Sequence, residues 1–181
     1  MNKQELSPAA RMIRMFTEQR GEYIAFLIQA MKGGSADYQT IARSGLISLG
    51  CLRGERACKG KAFRSPQEFF DATASPAVRE AFEMNPVYDG DILYLHCGRC
   101  PLLDAWRKLP LSAEECRELC EIVMSGDMQQ YASTKGITCE WKTSLAHGDK
   151  ECLFVFRASE EEDPLIRADR RCTPTDHPAD S

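Results

Sequence analysis

The residue types best suited to chemistry gather between positions 96 and 127 of this chain. Thiols and carboxylates that occur where a strand runs into a helix are the first place to look for metal binding or nucleophilic catalysis. The stretch contains four thiols, one imidazole and two aspartates: His96, Cys97, Cys100, Asp104, Cys116, Cys120 and Asp127. We therefore take it as the candidate site and ask which chemistry its spacing favours.

Cys100 is the first candidate for a nucleophile. Pro101 suits the first position of a helix, which places Cys100 at the N-cap. Unpaired backbone N–H groups and the helix dipole favour a thiolate there, and Arg99 adds a neighbouring positive charge. A lowered thiol pKa makes a cysteine reactive at neutral pH. The alternative is a buried small residue that only occupies the cap.

A zinc site is the second possibility for the thiols. Cys97 and Cys100 form a C-x2-C pair, and Cys116 and Cys120 lie one helical turn apart. Four thiolates are the number that a tetrahedral zinc needs. The second pair lacks the usual C-x2-C spacing and shares its stripe with Leu119, which is typical of a buried helix face. Both interpretations stay open at this point.

The carboxylates and the imidazole have weaker patterns. Asp104 follows Cys100 by one turn, so we expect it on the same helix face, where it could bind substrate or move a proton. Asp127 follows Gly126 at the expected end of a helix, where it is either a proton carrier or a cap. His96 ends the expected strand beside the thiols, as a base, a ligand or a satisfied polar group.

The composition bounds the class of protein. The chain has 181 residues, 43% hydrophobic and 28% charged, with a net charge of −4. These values predict one globular domain, and the absence of a basic stripe argues against nucleic-acid binding. No apolar run approaches the ~18 residues of a membrane span. The first residues lack the apolar core of a signal peptide, so we expect a cytoplasmic protein whose nine cysteines are reduced.

Hydrophobic periodicity predicts the elements that position this site. A helix over 9–31 should bury a face of Met12, Met15, Phe16, Gln19, Tyr23, Phe26, Leu27 and Ala30. A second helix from residue 35 should bury Tyr38, Ile41, Ala42, Leu46 and Leu49. Short helices start at Ser65-Pro66, Ser75-Pro76 and Cys100-Pro101, and a longer one runs from Ser112 to Gly126.

Three strands complete the prediction. The first covers residues 92–95, and strict alternation predicts a hairpin of residues 137–145 with a return strand that contains Cys152, Phe154 and Phe156. The fold class is therefore α+β, with a helical N-terminal half followed by a small antiparallel sheet. We expect a single domain over residues 1–157 and an acidic, disordered tail over 158–181. The sequence does not indicate an oligomeric state.

Several of these motifs together resemble the L-2-amino-thiazoline-4-carboxylic acid hydrolase family. The resemblance rests on Cys100-Pro101, on Cys120 followed by Asp127, and on a closing hairpin pattern. That pattern, T-x-L-x-x-G-x-x-x-C-x-F-x-F, consists here of Thr143, Leu145, Gly148, Cys152, Phe154 and Phe156. The match covers about residues 90–157. The same pattern also resembles, more distantly, small-molecule-binding domains of the vinyl-reductase type. The extra thiols Cys97 and Cys116 depart from the hydrolase pattern.

The resemblance implies a hydrolase that opens a small cyclic amidine, such as L-2-amino-thiazoline-4-carboxylate, to a carbamoyl-cysteine. It implies Cys100, Asp127 and Cys120 as the catalytic group. His96, Asp104, Thr143 and Cys152 are the expected substrate contacts. No cofactor is required in this interpretation. The alternative is a non-catalytic domain that binds a small molecule, or zinc through Cys97, Cys100, Cys116 and Cys120.

Overall fold

The computed structural model describes residues 5–159, and within that range the chain has the predicted α+β architecture. Its elements are α1 Pro8–Gly34, α2 Tyr38–Cys58, α3 Pro66–Thr73, α4 Pro76–Ala81, β1 Met84–Asp89, β2 Ile92–Cys97, α5 Pro101–Trp106, α6 Ala113–Ala132, β3 Ile137–Thr143, a 3₁₀ turn Leu145–His147 and β4 Cys152–Ala158. The tail expected at 158–181 lies, beyond Ser159, outside the described residues. None of the helices in residues 5–159 combines the length and apolar character of a membrane crossing.

The four strands form one antiparallel sheet in the order β1-β2-β4-β3. The predicted hairpin of β3 and β4 is confirmed, and β3 alternates between inward and exposed residues as expected. Strand β1 was not predicted, because Pro86 and four exposed positions hide its pattern. Proline is tolerated there since β1 lies at the edge of the sheet. Gly90, with φ of +55°, allows the tight turn into β2.

The apolar face of α1 that the sequence predicts to be buried is exposed to solvent in the structure. Tyr23 and Phe26 are 66% and 65% exposed, and the other large apolar residues of that face are also exposed. The buried positions of α1 are small or aliphatic residues: Ala10, Gly21, Ala25 and Ile28. The physical reason is the bulk of α5, whose Trp106 packs against α1 and donates its indole N–H to the carbonyl of Gly21 at 2.9 Å. A large side chain at position 21 would collide with α5.

Helix α2 shows this reversal only in part, because Tyr38, Ala42 and Leu46 are half-buried against the core as predicted. Ile41 and Leu49, predicted to be internal, are about half exposed, whereas Gly50 and Gly54 are buried. The two glycines let α2 approach α6 closely: a Cβ at Gly50 would lie 2.2 Å from the Gly126 carbonyl oxygen. Gly126 therefore does not end α6 as predicted. It lies inside the helix, which continues to Ala132, and serves the same close contact.

Candidate active site

A cavity of about 380 Å³ lies between the sheet and the helices, which is within the usual size range of small-molecule sites. Strands β2 and β4 form one wall, and all six helices contribute residues to the others. The polar lining residues are Thr17, Arg20, Arg53, Thr73, Arg99, Asp127 and Gln130, and the thiols are Cys97, Cys100, Cys120 and Cys152. The remaining lining is apolar and largely aromatic.

The close contact of α2 with α6 creates the charged part of this lining. Because Gly50, Gly54 and Gly126 carry no side chain, Arg53 on α2 reaches Asp127 on α6. The Arg53 guanidinium donates to Asp127 Oδ1 at 3.0 Å. Arg53 belongs to a basic stretch between Cys51 and Cys58 that is typical of a solvated helix end, and its side chain is indeed partly exposed. It is the ion-pair partner of a predicted catalytic residue.

Asp127 is the only carboxylic acid among the described residues that line the cavity. A third of its side chain is accessible. Burial raises the pKa of this carboxyl, and the positive charges of Arg53 and Arg20 oppose that rise without cancelling it. Asp127 lies within α6 and is not a helix cap. Its surroundings suit a carboxyl that exchanges a proton, since a raised pKa brings the two protonation states closer in free energy at neutral pH.

The four lining thiols lie near one another. Cys97 on β2 and Cys152 on β4 are paired directly across the sheet. Cys120 on α6 lies 3.6 Å from the hydroxyl of Ser144, which is itself fully buried. Cys100 precedes α5 as predicted. The structure therefore brings together the two thiols of the predicted catalytic group, the predicted substrate contact Cys152 and Cys97.

The prediction that Cys100 has an activated thiol is wrong for the resting protein. Burial raises the pKa of Cys100 to about 12, and the backbone N–H groups of Leu103 and Leu102 offset this only in part. Arg99 does not face the sulfur: its guanidinium donates to Asp104 at 2.6 Å. Burial likewise raises the pKa of Cys97 to about 12 and of Cys120 to about 11. At neutral pH these thiols are protonated.

The predicted four-thiolate zinc set is not assembled. Within residues 5–159, no group of three or more His, Cys, Asp or Glu side chains is arranged to hold a metal ion. Cys116 does not line the cavity and is buried with Leu119 and Ile122 in the core formed by α1, α5 and α6. The stripe that Cys116 shares with Leu119 is thus a core face, as the alternative interpretation held.

Three predicted substrate contacts lie outside the cavity lining. His96 is hydrogen-bonded through Nδ1 to Glu151 at 2.7 Å, and Thr143 donates its hydroxyl to the Glu151 carbonyl. Asp104 accepts a hydrogen bond from the Arg99 guanidinium. Each of these side chains has a structural partner, so their proposed contact with substrate stays a prediction without support from the cavity.

Sequence reasoning missed the polar residues that the helices bring to the cavity. Arg20, Arg53 and Gln130 lie on three different helices and far apart in the chain. The Oε1 atom of Gln130 is buried without a hydrogen-bond partner in the described part of the chain. The sequence contains one signal for them: Gly50 and Gly54 in α2 and Gly126 in α6 favour close packing of the two helices beside Arg53 and Asp127.

Comparison with known proteins adds a family assignment. The family model described as "L-2-amino-thiazoline-4-carboxylic acid hydrolase" matches residues 12–156. No curated protein matches the chain. One similar solved structure is trafficking protein particle complex subunit 3 from Naegleria fowleri covalently bound to palmitic acid, at 16% sequence identity and a TM-score of 0.47. That match covers 81% of this chain and 96% of the other, and we draw no functional conclusion from so distant a likeness.

Proposed function

The chain belongs to the L-2-amino-thiazoline-4-carboxylic acid hydrolase family, and on that premise we propose that its cavity opens a small cyclic amidine by hydrolysis. The observation that supports this most is that Asp127 and the thiols of Cys100 and Cys120 line the same cavity. A carboxyl that can exchange a proton and a thiol in one enclosed space are the two groups that such a reaction needs.

The proposed reaction begins at the ring carbon that carries the amino group. Cys100 Sγ forms a bond to this carbon, the ring carbon–sulfur bond breaks, and the ring sulfur leaves with a proton. Water then attacks the same carbon of the isothiourea that links substrate to Cys100. Its oxygen becomes the carbonyl oxygen of the carbamoyl group, and Cys100 leaves as a thiol. One water is consumed, and the reaction requires neither an oxidant nor a cofactor.

The proton of Cys100 has to move during the attack. Since the pKa of this thiol is about 12, the resting group is protonated and cannot attack as a preformed thiolate. We assign proton transfer to Asp127, directly or through one water, because it is the carboxyl among the described lining residues. Arg53 holds Asp127 in place through the 3.0 Å contact and is a positioning residue. Cys120 completes the proposed catalytic group, oriented by Ser144.

A small-molecule-binding domain without catalysis is the second candidate. The raised pKa values of Cys97, Cys100 and Cys120 favour it, because thiols at such values are poor nucleophiles. The mostly apolar lining of the cavity is also compatible with binding alone. The two candidates differ in whether the ligand is chemically changed.

The deciding experiment is incubation with L-2-amino-thiazoline-4-carboxylate, with carbamoyl-cysteine followed by mass spectrometry. We expect turnover in the wild type, none in Cys100→Ser, and a loss of about 10²–10⁴-fold in kcat/KM for Asp127→Asn. Cys139→Ser is the matched control, since Cys139 is also partly buried but lies outside the cavity lining. A folded, fully active Cys100→Ser variant would rule out the nucleophile, and saturable binding without turnover would favour the second candidate.

A further inference from the structure

We propose that the cavity is built for an acid with a bulky apolar, preferably aromatic, substituent, whose carboxylate binds Arg20 while the substituent occupies the part lined by aromatic rings. The identity of the reacting group rests on the proposed function, but the binding preference does not.

The volume is the first observation. L-2-amino-thiazoline-4-carboxylate has about nine non-hydrogen atoms, and the ~30 Å³ of one water for each atom gives an upper bound of roughly 270 Å³. The cavity holds about 380 Å³, so this ligand leaves more than a quarter of it unfilled. Apolar space that the ligand does not fill contributes no binding free energy. A larger ligand therefore fits the cavity better than the compound after which the family is named.

The charges of the lining are the second observation. Three arginines line the cavity, and two are engaged: Arg53 by Asp127 and Arg99 by Asp104. Arg20 has neither an ion pair nor a hydrogen bond within residues 5–159. A guanidinium at the wall of a largely apolar cavity is a natural partner for a carboxylate. The unpaired Oε1 atom of Gln130 offers an acceptor to an N–H group of the same ligand.

The apolar lining is the third observation. Seven aromatic residues line the cavity: Phe69, Phe70, Phe82, Trp106, Tyr131, Phe154 and Phe156. Phe69, Tyr131, Phe154 and Phe156 contact one another mostly edge to face. Helices α3 and α4 add Ala74 and Val78 to this wall. Rings in such an arrangement offer both faces and edges to an aromatic substituent. A ligand made only of polar groups would leave this surface without a partner.

The test compares binding of the parent acid with binding of 2-amino-5-phenyl-thiazoline-4-carboxylate by isothermal titration calorimetry. Cys100→Ser is titrated as well as the wild type, so that turnover does not distort the isotherm. We expect the phenyl acid to bind at least about tenfold more tightly, because a ring leaves water for the aromatic wall. Its carboxamide should bind about tenfold more weakly than the acid.

Two pairs of variants locate these preferences. Arg20→Gln should remove the difference between acid and carboxamide, whereas Arg11→Gln, an exposed residue of α1 outside the lining, should keep it. Val78→Phe should remove the advantage of the phenyl group by filling its space. Val87→Phe, the same change at an exposed strand position, should not. Circular dichroism identifies any variant that does not fold, and Arg20, being exposed, provides the test that least depends on packing.

The outcomes separate this inference from the proposed function. Turnover of the parent acid with no preference for the phenyl acid keeps the hydrolase and overturns the inference. Preference for the phenyl acid without turnover of either compound keeps the inference and overturns the hydrolase. Failure of both acids to bind overturns the inference, as does a preference for the acid over its carboxamide that survives Arg20→Gln.

The outer faces of α1 and α2 carry a second inference, independent of the cavity. We infer that a second copy of this chain covers them in a two-fold symmetric dimer. The face of α1 consists of Met12, Met15, Phe16, Tyr23, Phe26 and Leu27, and α2 adds Ile41, Leu49 and Leu52. All nine are between 41% and 66% exposed. We call this set the outer apolar surface.

The area of the outer apolar surface matches a stable interface. Its three aromatic residues, at ~150–250 Å² each and about 60% exposed, provide roughly 300–450 Å². The six aliphatic residues and methionines bring the total to about 850 Å², compared with about 800 Å² per partner in a standard interface. The largest apolar patch of a typical monomer is about 300–600 Å².

The chemistry of this surface favours a second copy over other occupants. Aromatic residues and methionine are enriched in protein interfaces, while charged residues are depleted. Two copies of the same apolar face can pair about a two-fold axis. A membrane surface rich in anionic lipid is disfavoured by the net charge of −4. The polar segment 160–181 offers few apolar residues with which to cover it.

Light scattering after gel filtration tests the dimer on the full chain. We expect twice the 20.3 kDa mass for the wild type and the single mass for the double variant Tyr23→Glu, Phe26→Glu. Tyr88→Glu is the matched control, because Tyr88 is an exposed tyrosine on β1, and it should stay dimeric. A wild-type mass equal to that of one chain overturns the inference. This holds even if liposomes or the segment 160–181 are then found to cover the outer apolar surface. A dimer that survives the double variant overturns it too.

Discussion

The Arg53 guanidinium on α2 lies 3.0 Å from the Asp127 carboxylate on α6, and this ion pair exists because three glycines let the two helices touch. The pair lies at the wall of the cavity and joins the N-terminal helices to the helix that carries the candidate catalytic carboxyl. The close packing of α2 against α6 and the ion pair at the cavity are thus coupled in this protein.

Gly50→Ala should destabilise the protein, whereas Gly45→Ala on the same helix should stabilise it. A Cβ at position 50 would lie 2.2 Å from the Gly126 carbonyl oxygen, while at position 45 no atom lies within 4 Å. We expect a loss of about 2–3 kcal/mol in the free energy of unfolding for Gly50→Ala, from overpacking. Gly45→Ala should gain about 0.5–1 kcal/mol from helix propensity. Urea denaturation measures both, and equal effects would contradict the close helix contact.

Asp127→Asn should remove a pH dependence of stability. Burial raises the pKa of Asp127 in the folded protein, so its stabilising protonated form is lost as the pH rises through that value. As the pH rises from about 4 to 7, the variant should therefore gain stability relative to the wild type. Arg53→Gln should enlarge the pH dependence in the protein that keeps Asp127, because the opposing charge is gone. Thermal unfolding across this pH range gives the comparison, and parallel curves would disprove the raised pKa.

Cys100 should react slowly with iodoacetamide at pH 7. Burial raises its pKa to about 12, so very little thiolate exists in the folded protein at that pH. Mass spectrometry of the native protein should show labelling of Cys100 that increases only as the pH rises well above 9. Rapid labelling at pH 7 would mean that the thiol is activated in the absence of substrate, as the sequence alone predicts.

The same thiol should affect stability at alkaline pH. The pKa of Cys100 rises from an ordinary value near 9 to about 12 on folding, so the folded state loses stability as the pH rises between them. Cys100→Ser cannot ionise there, and its stability relative to the wild type should improve from about pH 8 to pH 10.5. Urea denaturation at the two pH values checks this, and a difference from the wild type that does not change with pH would contradict it. Cys139→Ser should change in the same direction, because burial also raises the pKa of that thiol.

Trp106→Phe should weaken the contact between α1 and α5. Trp106 is 1% exposed, and its indole N–H donates to the Gly21 carbonyl at 2.9 Å. The change leaves a smaller ring and removes the hydrogen bond, with an expected cost of about 1–3 kcal/mol in the free energy of unfolding. A cost below about 0.5 kcal/mol would mean that this contact does not hold α1 in place.

The sequence by itself determined the elements whose signals are local. Ser112 and Glu115 form a capping box at the predicted start of α6, Pro101 starts α5, and the alternation in β3 placed the closing hairpin. These features depend on neighbouring residues and on one period of the backbone, so they can be read without knowledge of what packs against them.

The orientation of the helices and the composition of the site were decided by tertiary structure. The periodicity of α1 predicts that its most apolar face is buried. Trp106 and its neighbours on α5 nevertheless accept only small residues such as Gly21 and Ala25. Gly126 suggested the end of a helix, but it serves the contact that brings Arg53 to Asp127. The pKa of Cys100 followed from burial and not from its place before Pro101. Each depends on which distant segment occupies the neighbouring volume, and that is a property of packing between elements remote in the chain.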